Sequence, residues 1–408
     1  MFDLPRDEGL LRPPHGSEDT YEQALQWLFA QSRAGQPRDP ARMRYLMEAL
    51  ALSSPPQNVH VVGTSGKGSV STMLATGLQA SKQRSGRFIS PHVEDFCERI
   101  WVSGRDIAAA QVQAFISRVQ KLELNPSPAF FEWCLALALE HFAQEQVDIA
   151  VIEAGVGAKY DATMCVEPVV LVVITSIALD HVDVLGPTVR HIAQDKAAAI
   201  RPGVPVVTAA CGEALEVLQQ QAEACGSALF ADDGQQPLFK PPAGSVARHS
   251  LHARNQRLAT AALRTLGLSE AAVRQGVEAP SLAARVEHFH IQGRRVILDA
   301  AHNPLAAEAL RQTLPEGFVL LFAALPRKLG EQTLAVLEPH AHSVFITHAG
   351  DAPSALTPQA SRHYLPDPFE ALAAALESCP DQGCLVITGS FYLAGYLRPW
   401  LRAHHQAR

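Results

Sequence analysis

Five side chains in the first half of the chain have types suited to phosphoryl chemistry: Lys67, Ser90, Glu153, His181 and Lys196. Lys67 lies in Gly63-Thr-Ser-Gly-Lys-Gly-Ser69, between an apolar run at 58–62 and a helix-forming stretch that continues to Ala80. A strand opening through glycines into a helix leaves the first-turn N–H groups unpaired, with the positive end of the helix dipole facing the loop. Gly63, Gly66 and Gly68 let the backbone approach phosphate oxygens, and the Lys67 ammonium can reach the outer phosphates of ATP or GTP. The usual phosphate loop has Ser or Thr directly after its lysine, whereas here Gly68 precedes Ser69. A plain strand-to-helix turn is the alternative, but strand, glycines, lysine and helix arrive in the order a nucleotide site requires.

In an open parallel sheet, ligands bind beyond the carboxyl ends of the strands. Polar residues gather at those ends. Ser90 follows the run 86–89, Glu153 closes the run 147–153, and Asp161-Ala-Thr163 comes soon after it. Asp180-His181-Val-Asp183 follows the run 169–175. Oxygen ligands with an occasional imidazole suit Mg²⁺ bridging nucleotide phosphates. Helix caps and turn closures are the competing explanation; they suffice for Asp180 or Asp183 alone, whereas Glu153 with His181 points to a metal site. Lys196 stands among small apolar residues in Ala193-Gln-Asp-Lys-Ala-Ala-Ala-Ile200. An exposed helical lysine is the simple reading. A buried amine beside Mg²⁺ would be repelled unless carbamoylation made it an anion.

The elements that must position these groups alternate between strand and helix, so the fold class is α/β with a mainly parallel sheet. Helical periodicity covers 20–52, with a break at Gly35-Gln-Pro37. Helices are expected at 130–144, 192–200 and 250–266, and strands at 58–62, 86–90, 147–153, 169–175 and 205–208. The segment 98–106 suits a hairpin or a loop, and 234–245 a loop. A second α/β pattern begins near Ala284, with strands at 295–299, 318–322, 343–347 and 384–388 and helices near 305–313, 331–337 and 369–378. With 408 residues, two domains are expected: 1–283, carrying the phosphate loop, and a smaller Rossmann-like unit, 284–408.

A net charge of −7 argues against nucleic acid as the main partner, since a phosphate-backbone binder needs a basic face. No apolar run is long enough to span a membrane, and the polar, proline-containing residues 1–17 carry no secretory signal. The seven cysteines are scattered and never spaced as CxxC, which fits reduced thiols in the cytoplasm and argues against zinc.

Together these residues resemble the folylpolyglutamate synthase/dihydrofolate synthase family of the Mur ligase superfamily, from about Tyr21 to Leu397. The family's GTNGKGS loop appears as Gly63 to Ser69 and its SSPH element as Ile89-Ser-Pro-His92, followed by Glu98-Arg99. Its E-x-G-x-G-G-R-x-D-A-T-N run is Glu153-Ala-Gly-Val-Gly-Ala-Lys-Tyr-Asp-Ala-Thr-Met164. Its TSI-x-LDH-x-x-x-LG segment spans 175–186, its EKA is Asp195-Lys196-Ala197, and its LD-x-AHNP is Leu298-Asp-Ala-Ala-His-Asn-Pro304.

The resemblance implies a Mur-ligase-like fold and an ATP-dependent amide ligase. ATP would phosphorylate a carboxylate on dihydropteroate or on the glutamate tail of a reduced folate, and L-glutamate would displace the phosphate. It also implies ATP binding by Gly63, Thr64, Gly66, Lys67, Gly68 and Ser69, and by Asn255, Arg285, Asp299 and His302. Two Mg²⁺ sites would use Ser90 with Glu153 and Glu153 with His181, Lys196 would be carbamoylated, and Asp161, Ala162 and Thr163 would help form the pterin pocket. Lys67, Lys196 and His181 would serve catalysis, in a cytoplasmic monomer with small-molecule partners only.

The chain departs from the family pattern at Ser65, Ala158, Lys159 and Met164, which replace Asn, Gly, Arg and Asn, and at Ala283-Ala284, where the family has Pro-Gly. Two rivals follow. One is a superfamily ligase acting on another carboxylate, such as a cell-wall precursor. Against it stand the missing extra N-terminal substrate domain and the SPH and LDH-x-x-x-LG details. The other is a non-catalytic nucleotide-binding protein, which would have no need of Lys67, Glu153, His181, Lys196 and Asp299 together.

Overall fold

A computed structural model describes residues 19–31, 38–247, 250–325, 329–350, 354, 356 and 359–406. Eight strands form the first sheet: β1 (Gln57–Val62), β2 (Ser85–Phe88), β3 (Ile100–Val102), β4 (Arg105–Asp106), β5 (Ile149–Glu153), β6 (Val169–Ile174), β7 (Val206–Thr208) and β8 (Leu229–Ala231). Their order is β4-β3-β2-β5-β1-β6-β7-β8. The five strands from β5 to β8 and their neighbour β2 run parallel, while β3 and β4 add an antiparallel edge. β1 is central and buried on both faces: Val59, Val61 and Val62 are fully buried, as a parallel strand covered by helices demands. The carboxyl ends of β1, β5 and β6 therefore lie side by side, which brings the phosphate loop, Glu153 and the 175–186 segment to one edge.

The second sheet contains β9 (Glu287–Ile291), β10 (Arg294–Leu298), β11 (Phe318–Phe322), β12 (Ala341–Ile346), β13 (His363–Tyr364) and β14 (Cys384–Thr388). Its order is β13-β12-β11-β14-β10-β9, parallel except for the antiparallel β9–β10 pair. Each sheet has its own apolar cores, so the molecule is two packed α/β units. Helices Ser250–Thr265 and Glu270–Val277 pack on the phosphate-loop helix Lys67–Ala80 before the chain crosses to β9.

The segment 98–106 resolves as a 3₁₀ turn, Phe96–Arg99, followed by the β3–β4 hairpin. Five helices without an expectation above appear at Ala109–Val119, Val182–Leu185, Gly212–Ala224, Glu270–Val277 and Phe391–Ala403. The expected break at 35–37 lies outside the described residues. Among those residues no helix is long and apolar enough to cross a membrane, and all seven cysteines are free thiols.

The units meet where the loop after β2 rests on helix Phe391–Ala403. Val93 packs against the second unit's core. A Cβ at Gly395 would overlap the Val93 carbonyl oxygen, so only glycine permits this approach. Arg398 ties the contact down, with Nη1 at 2.6 Å from Glu94 and a bidentate pair at 2.7 Å to Glu287. Gly395→Ala should therefore lower unfolding free energy by about 1–3 kcal/mol, the usual range for overpacking. An unchanged thermal midpoint would show that the contact relaxes freely.

His60 on β1 is buried, with Nε2 2.9 Å from Thr163 Oγ1. Burial, reinforced by Arg201, pushes its imidazole down to about 4. An unfolded histidine protonates near pH 6.5 while this one stays neutral, so the unfolded state binds the extra proton as pH falls from 6.5 to 4. Folding stability should drop across that window, by about 3 kcal/mol from this residue at 1.36 kcal/mol per pKa unit. Denaturant melts of wild type and His60→Gln between pH 7 and 4 should converge as pH falls; parallel curves would contradict this.

Candidate active site

The phosphate loop is built by close packing on its neighbours. Thr64 N–H donates to the Ser176 carbonyl at 2.7 Å, and Thr64 Oγ1 accepts from Ala178 N–H at 3.1 Å. Gly63 has φ +146°, and a Cβ there would overlap Thr175 Oγ1. Gly66 is left-handed, with φ +90°, and Asn255 lies against it. These two glycines are required by position.

Two lysines converge on one oxygen. Lys67 Nζ donates to the Gly63 carbonyl at 3.3 Å and Lys196 Nζ to the same carbonyl at 2.8 Å. Lys196 is buried, and burial together with the nearby Lys67 charge pushes its amine down to about 7. Lys67 Nζ also lies 3.9 Å from Glu153 Oε1. Burial raises the Glu153 carboxyl to about 7, although Lys67 and the Ser90 N–H, 3.4 Å from Oε2, act in the opposite direction.

The loop carrying Ser90 is held from behind by Glu98, whose carboxylate accepts the backbone N–H groups of Val93, Glu94 and Asp95 at 2.8, 2.8 and 2.9 Å. His181 is left-handed, with φ +50°, and its Nε2 lies 3.9 Å from Asp180 Oδ1.

The second unit closes the site. His302 Nε2 lies 3.7 Å from Asp180 Oδ2, and Asn303 Nδ2 is 3.3 Å from both Asp180 Oδ2 and Ser65 Oγ. Asp299 is occupied by the N–H groups of Val286 at 2.9 Å and Ala301 at 2.8 Å. The Arg285 guanidinium lies 4.7 Å over the Phe391 ring, and burial pushes its ionisation below the ordinary value.

A cavity of about 420 Å³ runs between the units. Its wall includes Gly63, Thr64, Gly66, Lys67, Gly68, Ser69, Ser90, Glu153, Asp161, His181, Lys196, Asn255, Arg285, Asp299 and His302, every candidate residue except Ala162 and Thr163. Those two are buried behind the wall: Thr163 Oγ1 donates to Asp161 Oδ1 at 2.7 Å and meets His60 on its other side. Asp161 also accepts from Val156 N–H at 3.1 Å and from Arg38 at 3.3 Å, so it braces the turn as well as facing the cavity.

Of the departures, Ser65 lines the cavity and touches Asn303. Ala158 is fully buried, Lys159 stacks on the exposed Tyr160, and Met164 packs on a core; none of the three lines the cavity. Phe131, Phe391 and Tyr392 also line it without having been singled out, as does Arg99, named above only within a motif. Only Phe131 lies in a stretch expected as helix, and tertiary packing alone brings all four here.

Comparisons with known proteins point to one family. Residues 284–391 match the Mur ligase, glutamate ligase domain family. The chain is 30% identical to folylpolyglutamate synthase of Lacticaseibacillus casei, covering 93% of this chain and 98% of that protein. It is also 30% identical to dihydrofolate synthase/folylpolyglutamate synthase of Bacillus subtilis, covering 94% and 99%. A crystal structure of the bifunctional folylpolyglutamate synthase/dihydrofolate synthase of Yersinia pestis, complexed with AMPPNP and a Mn ion, superposes with a TM-score of 0.78. That structure shares 26% identity over 94% of this chain and 98% of its own. Identity at this level across nearly the whole of both relatives means that the chain belongs to the folylpolyglutamate synthase/dihydrofolate synthase family.

Proposed function

We propose that the protein is an ATP-dependent ligase that adds L-glutamate to dihydropteroate, to reduced folate glutamates, or to both. It would act as a cytoplasmic monomer in which residues 1–283 hold the phosphate loop and residues 284–408 close over the nucleotide. The observation that carries the reading is the gathering of Lys67, Lys196 and Glu153 around one loop, within a cavity closed by Arg285, Asp299 and His302.

Phosphoryl transfer needs charge neutralisation and positioning more than covalent help from the protein. Lys67 and the loop N–H groups hold the β- and γ-phosphates, and Arg285 approaches them from the other unit. Asn255, Asp299 and His302 fix the rest of the nucleotide. A carboxylate oxygen of the acceptor attacks the γ-phosphorus, the bond to the β-phosphate oxygen breaks, and ADP leaves. The amine of L-glutamate then attacks the acyl carbon, phosphate departs with the C–O electron pair, and the amine loses a proton. Enclosure between two units keeps water from the acyl phosphate.

The donor set fits divalent metal. Glu153 is a buried carboxylate whose desolvation the ammonium at 3.9 Å does not offset, and a dication would restore its ionised form. Ser90, Glu153 and His181 would hold Mg²⁺ at two sites, where the metal would neutralise phosphate charge. Lys196 fits carbamoylation for the same physical reason. An amine pushed down to about 7 is largely neutral at physiological pH and so nucleophilic toward CO₂. The neutral amine forms an N–C bond to CO₂ as one C=O π pair moves onto oxygen, and loss of one N–H proton leaves a carbamate anion compatible with nearby metal.

Lys67→Ala should reduce turnover by about 10²–10³-fold or more, the scale for losing one preorganised electrostatic partner; a near-normal rate would sink the mechanism. Lys196→Ala should be severely impaired, with partial recovery on adding short carboxylic acids. Full activity without any addition would exclude the carbamate.

Phosphate release from ATP with Mg²⁺ and L-glutamate tests the reading as a whole, comparing dihydropteroate, a reduced folate monoglutamate and no acceptor. Stimulation by the first identifies dihydrofolate synthesis, and by the second tail extension. Stimulation by neither overturns the folate assignment.

A further inference from the structure

Arg99 faces the same cavity and has no part in the nucleotide chemistry above. The residue is only 5% exposed, and its guanidinium is fixed on three sides. Nε donates to His92 Nδ1 at 2.8 Å, and the planar group lies 5.7 Å from the Phe96 ring centre and 5.2 Å from that of Phe130. The two Nη groups take no hydrogen-bond partner among the described residues, and neither is sealed away from the cavity. Glu98 and Glu153 attract the guanidinium without bonding to it. The Glu98 oxygens are already taken by three backbone N–H groups.

Arginine presents a rigid fork that matches a carboxylate with two parallel hydrogen bonds. Leaving such a fork desolvated without an acceptor is unfavourable, because buried donors need partners. The other strong cations of the cavity are committed elsewhere: Lys67 and Lys196 to the Gly63 carbonyl, Arg285 to the Ala284 carbonyl and the Phe391 face.

We propose that Arg99 is an anchor for a substrate carboxylate, that of the acceptor or of the incoming L-glutamate. The proposal rests on the ligase reading for the identity of its ligands and on the open fork for their chemistry. Phe96 and Phe130 hold the fork so that its outer edge meets the carboxylate on the Ser90 side of the cavity.

The test is calorimetric binding to the full-length protein with Mg²⁺ and AMPPNP, using L-glutamate, dihydropteroate and a reduced folate monoglutamate in separate titrations. Arg99→Met should weaken either the glutamate arm or the acceptor arms by about 30-fold or more, the scale for truncating one partner of a buried charge pair. Affinity for AMPPNP should be unchanged. Arg99→Lys, which keeps the charge but not the fork, should fall between, and it provides a folded comparison should the methionine variant melt early. Replacing the anchored carboxylate by its amide should weaken wild type by a similar factor and leave Arg99→Met no weaker than before. Equal binding of every ligand by wild type and Arg99→Met would overturn the proposal, leaving Arg99 as a clamp on the His92 loop. Failure of all three ligands to bind wild type would also overturn it. Binding that depends on Arg99, with no phosphate release from any acceptor, would retain the anchor and overturn the ligase reading.

Discussion

Two ammonium groups share the carbonyl oxygen of Gly63, and much of the site follows from that crowding. Burial first, and the neighbouring Lys67 charge second, disfavour a proton on Lys196 at this oxygen. Lys196, the more deeply buried, yields. Lys67 lies on the side facing Glu153, with Nζ 3.9 Å from Oε1. The loop is thereby fitted to receive a polyanion at one lysine while the other amine stays neutral and available. Gly63 lacks a side chain for a separate reason: Thr175 already fills the space beneath.

The second unit contributes by contact as well as by its own cavity residues. Asn303 caps helix Pro304–Arg311 with Oδ1, which accepts from Ala306 N–H at 2.9 Å, and turns Nδ2 toward Ser65 and Asp180. One buried amide thus links a helix start in one unit to the phosphate loop of the other. Ser65, a departure from the family motif, has a hydroxyl that reaches Asn303 at the junction. The electrostatics of the site depend on both units being seated, because Asp180 meets His302 and Asn303 only across the interface.

Much of this was legible in the sequence because its signals were local. Glycines flanking Lys67, an apolar run ending in Glu153 and a hydroxyl after β2 each report a strand end, and adjacent parallel strands bring such ends together. Burial was not legible in the same way. Ala162 and Thr163 stand beside Asp161 in the chain, yet the 3₁₀ turn Ala162–Cys165 rotates them away from the cavity. The hairpin at β3–β4 stayed ambiguous because Ser103-Gly104 could equally close a loop. Arg99 escaped notice as a functional group because its setting comes from Phe130 and His92, which flank it only in three dimensions. Phe391 and Tyr392 reach the site from the far end of the chain, and no spacing rule connects them to Glu153.

The backbone contact between Gly395 and Val93 bears on how freely this enzyme's parts could be exchanged with those of its relatives. Most of a domain boundary tolerates substitution, since side chains at its rim can rearrange in solvent. Here a helix backbone meets a carbonyl oxygen directly, and Arg398 divides its fork between Glu94 of one unit and Glu287 of the other. A chimaera joining this first unit to a foreign second unit would need to bring a small residue and an arginine three positions apart on the same helix face. The modularity of the two-unit plan is therefore limited by a few atoms, and helix Phe391–Ala403 would travel best together with residues 90–98.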